Sequence, residues 1–83
     1  MDSTTVSVHK QAARIIAKFG GPYKLVAALA EIGHRVAPMT VYRWTYAAPR
    51  GTGGLIPREH IGAIESAAFI AGYELTAADW DPR

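Results

Sequence analysis

Three histidines, His9, His34 and His60, are the side chains best suited to move a proton or hold a metal at neutral pH. They stand about 25 residues apart and match no metal-ligand spacing such as His-Glu-x-x-His. Cysteine is absent, which removes thiolate metal sites and disulfides together. Each histidine is therefore expected at the surface, and no metal is expected. Glu59 and Glu65 lie six positions apart on one helical stretch and do not share a face. Asp79 and Asp81 suit a cap and a tail better than an acid/base pair, and none of Ser3, Ser7 and Ser66 sits in a nucleophile elbow. The run Gly51-Thr-Gly-Gly54 could suggest a phosphate cradle, but no Lys-Ser/Thr pair follows it and no strand precedes it. These residues predict neither an enzyme nor a cofactor.

The cations are more informative. Residues 1–58 hold eight Lys or Arg against two Asp or Glu, a net +6, whereas residues 59–83 hold one against five, a net −4. One part of the molecule is thus suited to a polyanion and another would be repelled by it. Lys10, Arg14 and Lys18 recur at i, i+4 and i+8. They form either a phosphate-gripping stripe or simply the wet face of a helix.

The elements that must position these groups read as helices. Residues 1–7 show no periodicity and are expected to form a flexible arm ahead of a domain over 8–83. Val8, Ala12, Ile15, Ile16 and Phe19 recur at helical spacing, and Gly20-Gly21 closes that helix. Pro22 opens a second helix, where its missing N–H costs nothing; Leu25, Ala28, Leu29 and Ile32 form its buried stripe, and it stops near Gly33. A third runs from Pro38 to about Tyr46 with Val41 and Trp44 inward. Residues 47–54 are loop. Pro57 starts a fourth helix facing inward through Ile61, Ile64 and Ala68, with Gly72 as its stop. Thr76 and Asp79 fit a capping box bracketed by Leu75 and Trp80, the start of a short fifth helix. The fold class is all-α, a compact bundle of about five short helices.

Eighty-three residues make one domain with a marginal core, since a chain this short buries only about 60–65% of the surface its unfolded form exposes. Fifteen alanines favour helix but bury little each. The N-terminal residues lack the basic start and apolar run of a signal peptide, and the longest apolar stretch, Leu25 to Ile32, is far short of the ~20 residues that span a bilayer. A cytoplasmic location without membrane contact is expected.

The third helix has one apolar side, Val41 and Trp44, and an opposite side holding Met39, Thr40, Tyr42 and Arg43. Such a helix can lie in the major groove of DNA, which is wide enough to admit it. The segment resembles the helix-turn-helix of the Cro/cI-type repressors, and most narrowly the YdaS-type phage antitoxin and Cro-like proteins. The resemblance rests on Leu25…Leu29, Pro38…Val41…Trp44, Leu55-Ile56-Pro57, Ile64-Glu65 and Thr76-Ala-Ala-Asp79-Trp80, in that order over roughly residues 12–82. The sequence departs from that pattern in two places. Ala30 to Arg35 lengthens the second helix or the turn that follows it by about one helical turn, and Val26 stands where the family prefers Ala.

The resemblance implies a helix-turn-helix with a lengthened turn, acting as a bacterial or phage transcription regulator, in most cases a repressor. It implies base reading by Met39, Thr40, Tyr42 and Arg43, with Arg43 suited to a bidentate guanine contact. Tyr23 and Lys24 would grip phosphate at the start of the second helix, aided by Arg35 and Arg50. For Arg43 the alternative is a solvated helix residue, and for Tyr42 packing against neighbours. Double-stranded DNA and a second copy of the chain are the implied partners, with a homodimer contact expected around Phe69, Tyr73 and Trp80. The alternative keeps the fold but binds a protein partner, as an antitoxin or adaptor would.

Overall fold

A computed structural model describes residues 9–83, which form four helices and no strand. The expected arm, residues 1–7, and Val8 lie outside the described residues. The helices are α1 (Gln11–Phe19), α2 (Pro22–Glu31), α3 (Pro38–Arg43) and α4 (Arg58–Ala71). None is long and apolar enough to cross a membrane.

Helix α2 is the hub, packing against each of the other three. It buries Leu25 and Leu29, one turn apart, against Ala12, Ile15, Ile16 and Phe19 of α1 and Ile64, Ala67 and Ala68 of α4. Val41, Trp44 and Ile56 complete the buried core. The spacing of these residues at i, i+3 and i+4 is what gives each helix a single inward stripe.

Helix α1 starts at Gln11 rather than near residue 8. The reason lies in its backbone donors, which are bonded elsewhere. The His9 N–H donates to the Gly53 carbonyl (2.7 Å), that of Lys10 to Pro82 (2.9 Å) and that of Ala12 to Gly54 (2.8 Å). The Gln11 side chain works in the same place. Its amide nitrogen donates to the Trp80 carbonyl (2.7 Å), while its oxygen accepts the buried Ile56 N–H (2.9 Å). One amide therefore ties α1 to the strand-like approach to α4 and to the C-terminal segment.

Helix α3 stops at Arg43, short of Tyr46. Its last residues continue as tighter turns, with the N–H groups of Trp44, Thr45 and Tyr46 donating to carbonyls three residues back. The loop over residues 47–54 then folds under it, the Thr52 N–H donating to the Arg43 carbonyl (3.1 Å) and that of Gly53 to Tyr46 (2.8 Å).

The expected fifth helix is a single turn. Its capping box does close: the Thr76 N–H donates to Asp79 Oδ2 (2.8 Å) and the Asp79 N–H to Thr76 Oγ1 (3.4 Å). That backbone N–H, followed by Lys18, holds the Asp79 carboxyl below its ordinary range against an opposing effect of burial. Further helix is prevented by Pro82, which has no N–H to give to the Ala78 carbonyl, and side chains of α1 hold the turn where it stops. Arg14 donates to the carbonyls of Ala78 (2.9 Å) and Asp81 (2.8 Å), and Gln11 to that of Trp80.

Candidate nucleic-acid interface

On a six-residue helix half a turn, about two residues, separates inside from outside. Val41 and Trp44 are 0% and 2% exposed, so the side opposite them belongs to Met39 and Arg43, with Thr40 and Tyr42 flanking. Burial follows this geometry: Met39 is 53% exposed and Arg43 exposed, while Thr40 and Tyr42 are half-buried. All four side chains expected to read bases thus lie on the uncovered part of α3. Tyr42 has a neighbour as well, because the ring of Tyr23 meets it edge-on at 6.3 Å between centroids. This contact sets the N-terminal end of α2 beside the outer face of α3.

Tyr23 and Lys24 are exposed in the first turn of α2, which no side chain caps. Backbone N–H groups there point to solvent and favour an anion. Arg50 lies over the ring of Tyr46 at 5.5 Å, a cation–π contact that holds its guanidinium at the far end of α3. Arg35 is exposed in the turn over residues 32–37, which is the lengthened connection between α2 and α3. The structure therefore gathers Tyr23, Met39, Thr40, Tyr42 and Arg43 on adjoining surface, while the Lys24 side chain, in the same turn of α2, runs back past Gly20. It places Arg50 and Arg35 at the two ends of α3, with no measured contact to that group.

The stripe of Lys10, Arg14 and Lys18 is a correction. Arg14 is spent on the carbonyls of Ala78 and Asp81, and Lys18 pairs with Asp79 at 3.3 Å. Arg14 and Lys18 fasten the acidic C-terminal segment to α1, whereas the exposed Lys10 side chain makes no such bond among the described residues.

Sequence reasoning also missed what stands behind α3. His34 and His60 are half-buried, not surface residues, and their rings share a hydrogen bond of 2.9 Å between His34 Nε2 and His60 Nδ1. The His60 ring lies 5.0 Å from that of Trp44, so the pair backs the inner anchor of α3. His60 is held below the ordinary histidine range chiefly by burial, partly countered by Glu59. No spacing in the sequence brings positions 34 and 60 together; only the packing of the turn on α4 does so. Among the described residues, no group of three or more His, Cys, Asp or Glu could hold a metal ion.

The expected dimer surface needs a second correction. Phe69 and Ile70 are 85% and 68% exposed and Tyr73 is partly so, but Trp80 is half-buried and packed on the core. Tyr73 also meets Phe19 edge-on at 5.2 Å, joining this patch to α1.

No protein-family model, curated protein or solved structure matches the chain.

Proposed function

We propose that the chain is a sequence-specific double-stranded DNA-binding regulator whose α2 and α3 act as a helix-turn-helix, α3 entering the major groove. The observation that carries this reading is the two-sidedness of α3. Its inner residues are fully buried, and its outer ones are uncovered beside the uncapped first turn of α2. Phosphate contacts from Tyr23, Lys24, Arg35 and Arg50 supply affinity, and Met39, Thr40, Tyr42 and Arg43 supply choice of sequence. The resemblance to Cro-like and YdaS-type proteins agrees with this assignment.

The test is selection of bound sites from random duplexes, followed by Arg43→Ala on the preferred site. Arg43 is exposed, so its removal leaves the fold intact. Loss of a bidentate base contact costs roughly 1–3 kcal/mol of discrimination, read as weaker binding and relaxed choice at one base pair. An enrichment no better than that of an unrelated protein, or an Arg43→Ala protein that binds and selects as before, would end this reading.

The regulator acts as a homodimer, since one small module seldom buries enough surface for tight specific binding. Phe69 and Ile70 supply the uncovered apolar contact, and a C2 axis alongside the exposed face of α4 would hide them. Deleting the C-terminal segment would not test this, because Lys10, Gln11 and Arg14 bond to it. The double substitution Phe69→Glu/Ile70→Glu is expected to give a folded monomer by light scattering. An unchanged dimer mass in that variant rules this surface out. The same patch favours the second reading, a module that docks on a protein partner; such a module would be indifferent to Arg43→Ala.

A further inference from the structure

The histidine pair behind α3 is placed to do more than fill space. It joins two parts of the chain that the core does not otherwise link by hydrogen bonds: the turn over residues 32–37, through His34, and the first turn of α4, through His60. Its rings meet nearly at right angles, 77°, with centroids 5.1 Å apart, and His60 in turn lies against Trp44. The His60 side chain is only 12% exposed. We propose that His34 and His60 form a proton-operated clasp, closed when neutral and opened by acid, which sets how firmly the turn holds α3 in place.

The chemistry follows from the two facing nitrogens. A closed clasp needs one N–H and one bare nitrogen. Glu59 Oε2 lies 3.5 Å from His60 Nε2, which favours the proton on that nitrogen and leaves His60 Nδ1 as the acceptor for the His34 Nε2–H. A first added proton is still accommodated at the outer His34 Nδ1, because the His34 Nε2–H can go on donating to the bare His60 Nδ1. A second turns both facing nitrogens into donors, and the bond becomes a repulsion between two cations.

The groups facing His60 are few. Glu59 comes from its own helix, His34 from the turn, and from the end of α3 the uncharged indole of Trp44. Glu59 opposes opening, yet it is 78% exposed and screened by water. Burial is the larger influence and favours the neutral ring. The folded state consequently binds fewer protons than the unfolded chain. Stability is complete above the ordinary histidine value of 6.5 and declines as the pH falls below it, levelling off beneath the lowered value of the folded ring.

The clasp itself is testable without DNA; only its effect on DNA reading rests on the function proposed above. The His60 ring signals followed by NMR from pH 8 to 5 are expected to titrate below the ordinary value, and the His34 signals to report loss of the shared hydrogen bond as they do so. Over the same range the melting temperature of a His9→Gln protein is expected to fall by about 4–8 °C, the shift given by a roughly fivefold loss in the folding constant. His9→Gln/His34→Gln/His60→Gln should lose most of that dependence. A His60 ring that titrates at the ordinary value in the unmodified protein, with no response in the His34 signals, would overturn the proposal even if the triple variant did not fold. An undiminished pH dependence in a folded triple variant would overturn it as well. Where a preferred duplex exists, its affinity should weaken over the same pH range.

Discussion

Trp44→Ala is expected to leave most of the protein unfolded at 37 °C. The indole is almost wholly buried at the end of α3, near Val41 in sequence and against the ring of His60. Truncating a buried Trp to Ala costs about 3–5 kcal/mol, from lost transfer energy and from the cavity left behind. Domains have about 5–15 kcal/mol in total, and a chain with so small a core sits toward the lower end. Thermal and urea unfolding followed by circular dichroism checks this. Trp44→Phe, which keeps an aromatic filler, should lose distinctly less. A Trp44→Ala protein that melts within a few degrees of the parent would show that α3 is anchored by something else.

Gly54→Ala is expected to be the most damaging glycine substitution among those with positive φ. Its φ is +91°, and a Cβ there would lie 1.9 Å from the His9 carbonyl oxygen. The neighbour is backbone, itself fixed by the His9 N–H bond to Gly53, so it cannot swing away as a side-chain tip could. Two costs therefore add. Left-handed backbone costs a non-glycine residue roughly 1–2 kcal/mol, and the collision adds a displacement of the chain leading into α1. Gly53→Ala separates them. Its φ is +77° with nothing within 4 Å of the added carbon, so it should show the conformational cost alone. Urea midpoints of the two variants provide the comparison, and equal losses would refute the steric part.

Helix positions were legible where one chemical pattern decided them. Pro22 and Pro38 do stand at the first positions of α2 and α3, and Gly20 and Gly72 end α1 and α4. The division of α3 into a buried Val41–Trp44 side and an uncovered Met39–Arg43 side follows from its sequence alone. Features that depend on distant partners were not legible. The late start of α1 comes from backbone groups captured across the molecule by Gly53 and Gly54, and the fastening of residues 78–81 comes from Gln11 and Arg14. Arg14 and Lys18 look like free cations along the chain, because periodicity carries no sign of the carbonyls and carboxylate that occupy them. His34 and His60 show the same limit for the site, since two polar residues 26 positions apart announce no pairing until a turn packs on a helix.

The bonds from Gln11 and Arg14 to residues 78–81 span 64 to 69 positions, nearly the whole chain. Closing so wide a loop consumes entropy before it returns contact energy. During synthesis, therefore, the opening helix emerges long before its closing partner exists. Until residues 78–81 leave the ribosome, α1 must rest on α2 and on residues 53–56, with the Gln11 amide half satisfied. Helix α1 is thus the last of the four to be secured, although it is made before the other three.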